Sequence, residues 1–172
     1  NPTIYFLSTL PSKIFVSDIA KVKKKGNWFF INKQGKIITK FMTNNAEDFS
    51  DGVARVTSDE GKGYINSDGS WLLHPNDSTS VDGNFSDGIG RVRYNLNWKF
   101  IDKNLQILFP KLLFEKNEDF SSGYGRVRID NKWGVINTKG ELIGKPSLER
   151  CLEFKDIYRS TLQNEVSPVS DE

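Results

Sequence analysis

Apolar residues fall in short blocks of four to six, separated by Gly, Asn, Asp and Pro, from Phe15 to Ile143. Blocks of that length bounded by turn formers predict β-strands rather than helices. Only Pro146 to Phe154 carries a weak helical period. Within the first block of a group the residues alternate. Ala54 and Val56 share one face, as do Gly90 with Val92 and Gly125 with Val127, and the small residue invites close packing there. Val53, Arg55 and Thr57 point the other way.

The blocks recur. Phe49-Ser50-Asp51-Gly52-Val53-Ala54-Arg55-Val56 returns as Phe85-Ser86-Asp87-Gly88-Ile89-Gly90-Arg91-Val92 and as Phe120-Ser121-Ser122-Gly123-Tyr124-Gly125-Arg126-Val127. A weaker copy runs from Phe15 to Val22. The leading Phe positions 15, 49, 85 and 120 step by 34, 36 and 35, and a further step of 34 reaches Phe154. A second block follows each first one: Trp28-Phe29-Phe30-Ile31, Lys62-Gly63-Tyr64-Ile65, Trp98-Lys99-Phe100-Ile101 and Trp133-Gly134-Val135-Ile136. A third, looser block trails it, with Pro75, Pro110 and Pro146 beyond in three of the units. A period of this size marks a tandem array whose units bury their apolar faces against one another. Phe15, Phe49, Phe85 and Phe120, with Ile31, Ile65, Ile101 and Ile136, are the expected core.

Turn chemistry agrees. Asn32–Gly35, Asn66–Gly69 and Asn137–Gly140 each open on Asn and close on Gly, as a tight turn needs. The third unit has Leu105 at the Gly place, a strained choice. A two-residue turn at Asp130-Asn131 would set Arg128 across from Trp133. The same spacing sets Arg93 against Trp98, Lys23 against Trp28 and Thr57 against Lys62. Cross-strand neighbours interact directly, so the basic residue is expected to cover a partly exposed indole.

The linked blocks Phe-Ser-x-Gly-x-Ala/Gly-x-Val and Lys132-Trp133-Gly134-Val135-Ile136-Asn137 resemble the bacterial WG-repeat (KWG) family. The resemblance implies an all-β hairpin array and no catalytic residues. Trp-Gly itself is intact only at Trp133-Gly134. The stretch Gly26 to Gly35 is also similar to choline- and glucan-binding wall repeats, which would use aromatic cages between hairpins. Their period is nearer 20 residues, and the second unit here has Lys62-Gly63 where a cage needs aromatics.

Composition then narrows the function. The 24 basic and 22 acidic residues give a net charge of +2, which makes no general case for nucleic acid or an anionic membrane. No apolar run approaches the roughly 20 residues that cross a bilayer. Cys151 and His74 each stand alone, so no disulfide framework, zinc cluster or catalytic constellation is expected. No cofactor motif appears. The compartment stays open between cytoplasmic and secreted or periplasmic, since the chain starts at Asn1 without Met.

The expected architecture is therefore all-β: stacked hairpin or meander repeats of about 35 residues in a short curved array with a C-terminal cap. One domain would span residues 1–162, with units at about 15–48, 49–84, 85–119 and 120–153 and a partial cap at 154–162. Residues 163–172, rich in Ser, Pro, Asp and Glu, read as a disordered tail. The expected function is non-enzymatic protein–protein binding or scaffolding of a bacterial type, as an effector or toxin-neutralising partner. The alternative is a choline or glucan binder. The candidate partner-binding residues form a basic ladder, Lys21, Arg55, Arg91 and Arg126, flanked by a second column, Lys23, Arg93 and Arg128. Trp28, Trp98 and Trp133 are the candidate aromatic contacts, and the expected partner is a protein with an acidic surface.

Overall fold

Cross-strand pairing of the repeated blocks organises the whole molecule. The structure is a computed structural model and describes residues 15–16, 18–39, 41–76, 79–94 and 97–148. Every regular element among them is a β-strand. A first hairpin joins β1 (Ile19–Lys24) to β2 (Asn27–Asn32). Three four-stranded antiparallel meanders follow. The second unit holds β3 (Asn45–Ala46), β4 (Val53–Ser58), β5 (Gly61–Asn66) and β6 (Trp71–Leu73). The third holds β7 (Thr79–Val81), β8 (Gly90–Tyr94), β9 (Asn97–Ile101) and β10 (Ile107–Leu108). The fourth holds β11 (Lys116–Asn117), β12 (Tyr124–Ile129), β13 (Lys132–Asn137) and β14 (Leu142–Leu148). Each sheet pairs its strands in chain order and none closes into a barrel.

The central register is the expected one. Arg128 faces Trp133, Arg93 faces Trp98, Lys23 faces Trp28 and Thr57 faces Lys62. Asp130 and Asn131 both adopt left-handed φ, of 50° and 61°, the geometry of a two-residue turn matched to strand twist. Leu105 takes φ 62°, as its place in a glycine turn requires. Its strain is offset by the Asp102 side chain, whose Oδ1 accepts the backbone N–H of Asn104 and Gln106 at 2.8 and 2.9 Å.

Three corrections follow from the strands. Each four-stranded sheet begins before its leading Phe, because β3, β7 and β11 pair with the hairpin that comes after them. The structural unit is thus offset from the sequence unit. Pro146 and the residues either side belong to β14, so the described part of the Pro146 to Phe154 stretch is strand, and residues 149–154 lie outside the described residues. Phe15 is only half-buried, whereas Phe49, Phe85 and Phe120 are core. The expected cap, Cys151 and the expected tail lie outside the described residues.

The core lies between consecutive sheets, in three layers. The first gathers Ile19 and Phe30 with Phe49, Ala54, Val56 and Ile65. The second gathers Val53, Tyr64 and Leu73 with Val81, Phe85, Val92 and Ile101. The third gathers Ile89 and Phe100 with Phe114, Phe120, Val127 and Ile136. Both faces of the central strands are therefore used. Ala54 and Val56 look back to the first unit, while Val53 looks forward to the third, so alternation separates two buried layers at this end of the strand. The small residue in the first block does allow close approach: a side chain at Gly90 or Gly125 would run into the ring of Phe85 or Phe120.

Candidate binding surface

The basic ladder is largely folded into the junctions between units. In β1, Lys21 Nζ donates to the Ala46 carbonyl at 2.9 Å and sits 3.1 Å from the Asp48 carboxylate, both in the second unit. In β8, Arg91 does the same one pair of units later. It donates to the Asn117 carbonyl, and its Nε lies 3.0 Å from Asp119, an ion-pair contact that is not a hydrogen bond. Its other terminal nitrogen donates to the Asp82 carbonyl at 2.9 Å. Arg55 instead pairs within its own sheet, with Glu47 at 3.1 Å, and Arg126 pairs with Glu118. The side chains of all four are mostly covered, Arg91 most of all.

In the flanking column, Arg128 reaches Glu115 at 3.5 Å and Asn131 Oδ1 at 3.0 Å. Lys23 and Arg93 have no carboxylate within ion-pair distance among the described residues. Each lies instead over an indole, at 5.3 Å from the Trp28 centroid and 5.6 Å from that of Trp98. Lys21 and Arg91 approach the same two rings, at 5.3 and 5.4 Å. At Trp133 the cation is Lys116 of β11, at 5.8 Å, rather than the cross-strand Arg128. All three indoles are half-buried, and a cation lies over each. A ligand cage of the wall-repeat kind needs open ring faces.

At the middle junction a tyrosine takes over. Tyr64 stands where other units carry Phe30, Phe100 or Val135, and its hydroxyl donates to the Gly83 carbonyl at 2.6 Å. It also accepts the Arg91 backbone N–H at 3.2 Å. Burial pushes this phenol above its ordinary range, an effect the bond from Arg91 partly offsets. Gly83 is the additional residue behind the 36-residue step. A Cβ at this position would meet the Asp119 carboxylate and the Arg91 Nε, so a larger residue would displace their ion pair.

Odd and even units therefore differ, and the full pattern repeats about every 71 residues. Lys21 corresponds to Arg91, Asp48 to Asp119, and Trp28 to Trp98. In the even units a side chain at Gly63 would meet the Leu73 carbonyl, Trp71 and Pro75, and one at Gly134 would meet Pro146, which is the packing reason for glycine at this place. Phe29 and Lys99 replace that glycine in the odd units, where Phe41 stands in place of the proline in the first and Pro110 falls one residue earlier in the third.

Two features escaped the sequence reading. The turn aspartates link units: Asp51 Oδ2 accepts the Gly88 N–H at 2.8 Å, and Asp87 Oδ2 accepts that of Gly123 at 2.7 Å. The recurrence of Asp-Gly at one place in the period was the available signal. The second is a groove of about 450 Å³ at the boundary of the third and fourth units, lined by Arg91, Lys116, Glu118, Asp119 and Arg126. His74 is exposed on a linker, its Nε2 3.4 Å from Glu60 and its ring against Trp71. Among the described residues no group of three His, Cys, Asp or Glu is placed to hold a metal, and no helix is long and apolar enough to cross a membrane.

A search of curated proteins finds no match. Among solved structures, a protein of unknown function from Bacteroides caccae aligns with 15% identity and a TM-score of 0.32. The alignment covers 74% of this chain and 57% of that one, so this chain spans little more than half its length. The family described as WG containing repeat matches four times, at residues 28–62, 63–98, 100–133 and 133–156. The four matches account for most of the chain, which belongs to the WG-containing repeat family.

Proposed function

We propose that this array is a non-enzymatic protein-binding or scaffold module that engages its partner through the repeat face. The observation that supports this is the open groove between the third and fourth units. Its walls are cations and carboxylates beside half-buried indoles, and Arg and aromatic residues are the side chains enriched where proteins bind proteins. The alternation of clasped and tyrosine-sealed junctions holds those walls in fixed relation, so little ordering cost would fall on binding.

The test is photo-crosslinking in the source cells from a reactive residue at Leu113, which is 72% exposed and lies in the linker leading to β11. A discrete protein adduct is expected from Leu113 and not from Lys36, on a turn of the first unit. A choline or short-glucan titration followed by tryptophan fluorescence forms the second arm, with no change expected. Absence of any protein adduct, or saturable quenching by choline, would overturn the reading.

A further inference from the structure

The groove between the third and fourth units has more positive charge than it has acid to match. Every acid around it is already engaged: Asp119 with Arg91, Glu118 with Arg126 and Glu115 with Arg128. Two cations are left over. Lys116 lines the groove, and Arg93 stands two residues along β8 from Arg91, on the same strand face. Neither has a carboxylate partner among the described residues, and both rest on an indole, Trp133 and Trp98. The Nε of Arg93 is buried and makes no hydrogen bond among the described residues.

A cation held against an indole face has lost part of its hydration while keeping its charge. A carboxylate arriving there gains more than it would at a free lysine, and a guanidinium offers a planar fork for two parallel bonds. The corresponding place in the first two units is weaker, because Asn45 replaces Lys116 and Thr57 stands where the fourth unit has Arg128. We infer that this groove docks an acidic segment of a partner protein, with carboxylates bound at Arg93 and Lys116. The inference rests on the binding-module reading and names the chemistry of its partner. A peptide is favoured over a nucleic acid because a net charge of +2 is too low to hold a continuous phosphate backbone firmly.

The chain supplies its own test variants. Lys116→Asn copies Asn45, and Arg93→Thr copies Thr57, so each residue is already tolerated at that place in the repeat. The probe is a fluorescein-labelled peptide with Glu at alternate positions, read by anisotropy at low and high salt. A Gln version of the peptide and a single-stranded oligonucleotide are the comparators. The acidic peptide is expected to bind and the Gln peptide not. Each variant should weaken binding about 5-fold and flatten its salt dependence, while Lys36→Gln has no effect. Unchanged affinity in both variants, no binding of the acidic peptide at low salt, or tighter binding of the oligonucleotide would overturn the inference. A Leu113 crosslink that survives the double variant would leave the module reading standing and remove this groove from it. Loss of the crosslink in the double variant supports both.

Discussion

The junction between units two and three and the junctions on either side of it solve one problem in two ways. At each junction a β-sheet must fix its distance and angle to the next across an apolar layer. The outer junctions use a cation that crosses to the next unit, Lys21 to Asp48 and Arg91 to Asp119. At the middle junction Asn84 stands where those aspartates stand, Arg55 turns back to Glu47, and the buried Tyr64 hydroxyl makes a crossing beside a solvent-exposed Lys62–Asp82 pair at 3.3 Å. The ionic clasps sit at the rim, where Asp48 and Asp119 remain accessible to solvent and salt. The phenol is buried and neutral, out of reach of screening. The middle junction thus adds a dry crossing that neither neighbour has, beside an ionic one of the kind they share.

The largest expected effect tests whether the middle layer carries the most stability. Phe85→Ala, at a site 1% exposed, should cost about 3–5 kcal/mol in denaturant melts. Phe15→Ala should cost clearly less, because that ring is only half-buried. Equal losses would remove the distinction between the centre and the end of the array.

Next comes the crossing itself. Tyr64→Phe strands the Gly83 carbonyl and the Arg91 N–H and should cost about 1–3 kcal/mol. It also has a pH signature. The folded state keeps this phenol protonated beyond its ordinary pKa of about 10, while the unfolded chain releases the proton there. The contribution is therefore constant below about pH 10 and falls as pH rises above it. Melts from neutral to strongly alkaline pH should show this loss in the parent and a smaller one in Tyr64→Phe.

A gain of stability is expected in the third layer. Asn117 is fully buried in β11, and neither side-chain polar atom has a hydrogen-bond partner. Ala46 and Val81 occupy the same register in the other sheets. Asn117→Val should raise stability by about 1 kcal/mol, read as a higher denaturant midpoint. A loss would show that the amide serves a purpose the apolar residues do not.

The smallest effect concerns the clasps. Asp48→Asn should cost less than about 1 kcal/mol, and the difference from the parent should vanish at high salt. Tyr64→Phe should be insensitive to salt. If both respond alike, the two kinds of junction are not physically distinct.

The hairpins and their register were legible because a two-residue turn leaves the pairing no freedom, as at Asp130-Asn131. The buried Ile31, Ile65, Ile101 and Ile136 were legible for the same reason: their place in the period fixes their face. The short strands β3, β7 and β11 were not, since Asn45-Ala46 or Lys116-Asn117 carries no strand signal of its own. Their pairing comes from the neighbour β4 or β12. The fate of the basic ladder was illegible because its acids lie in other strands and often in the next unit. That Arg91 would take Asp119 while Arg55 would take Glu47 depends on Asn84, one residue in a loop. A trace of the middle junction was present in the sequence, where a 36-residue step coincides with Tyr64 in place of an apolar residue.

The carboxylate of Asp51 reaches forward to Gly88, and that of Asp87 to Gly123, never backward. The column of turns is therefore a vector: an acceptor always points toward the following sheet and a donor toward the preceding one. Ser122 holds the corresponding place in the fourth unit and has no carboxylate to extend the chain of links. In the language of polymers, the column has a direction, and among the described residues its carboxylate links run from Asp51 to Gly123.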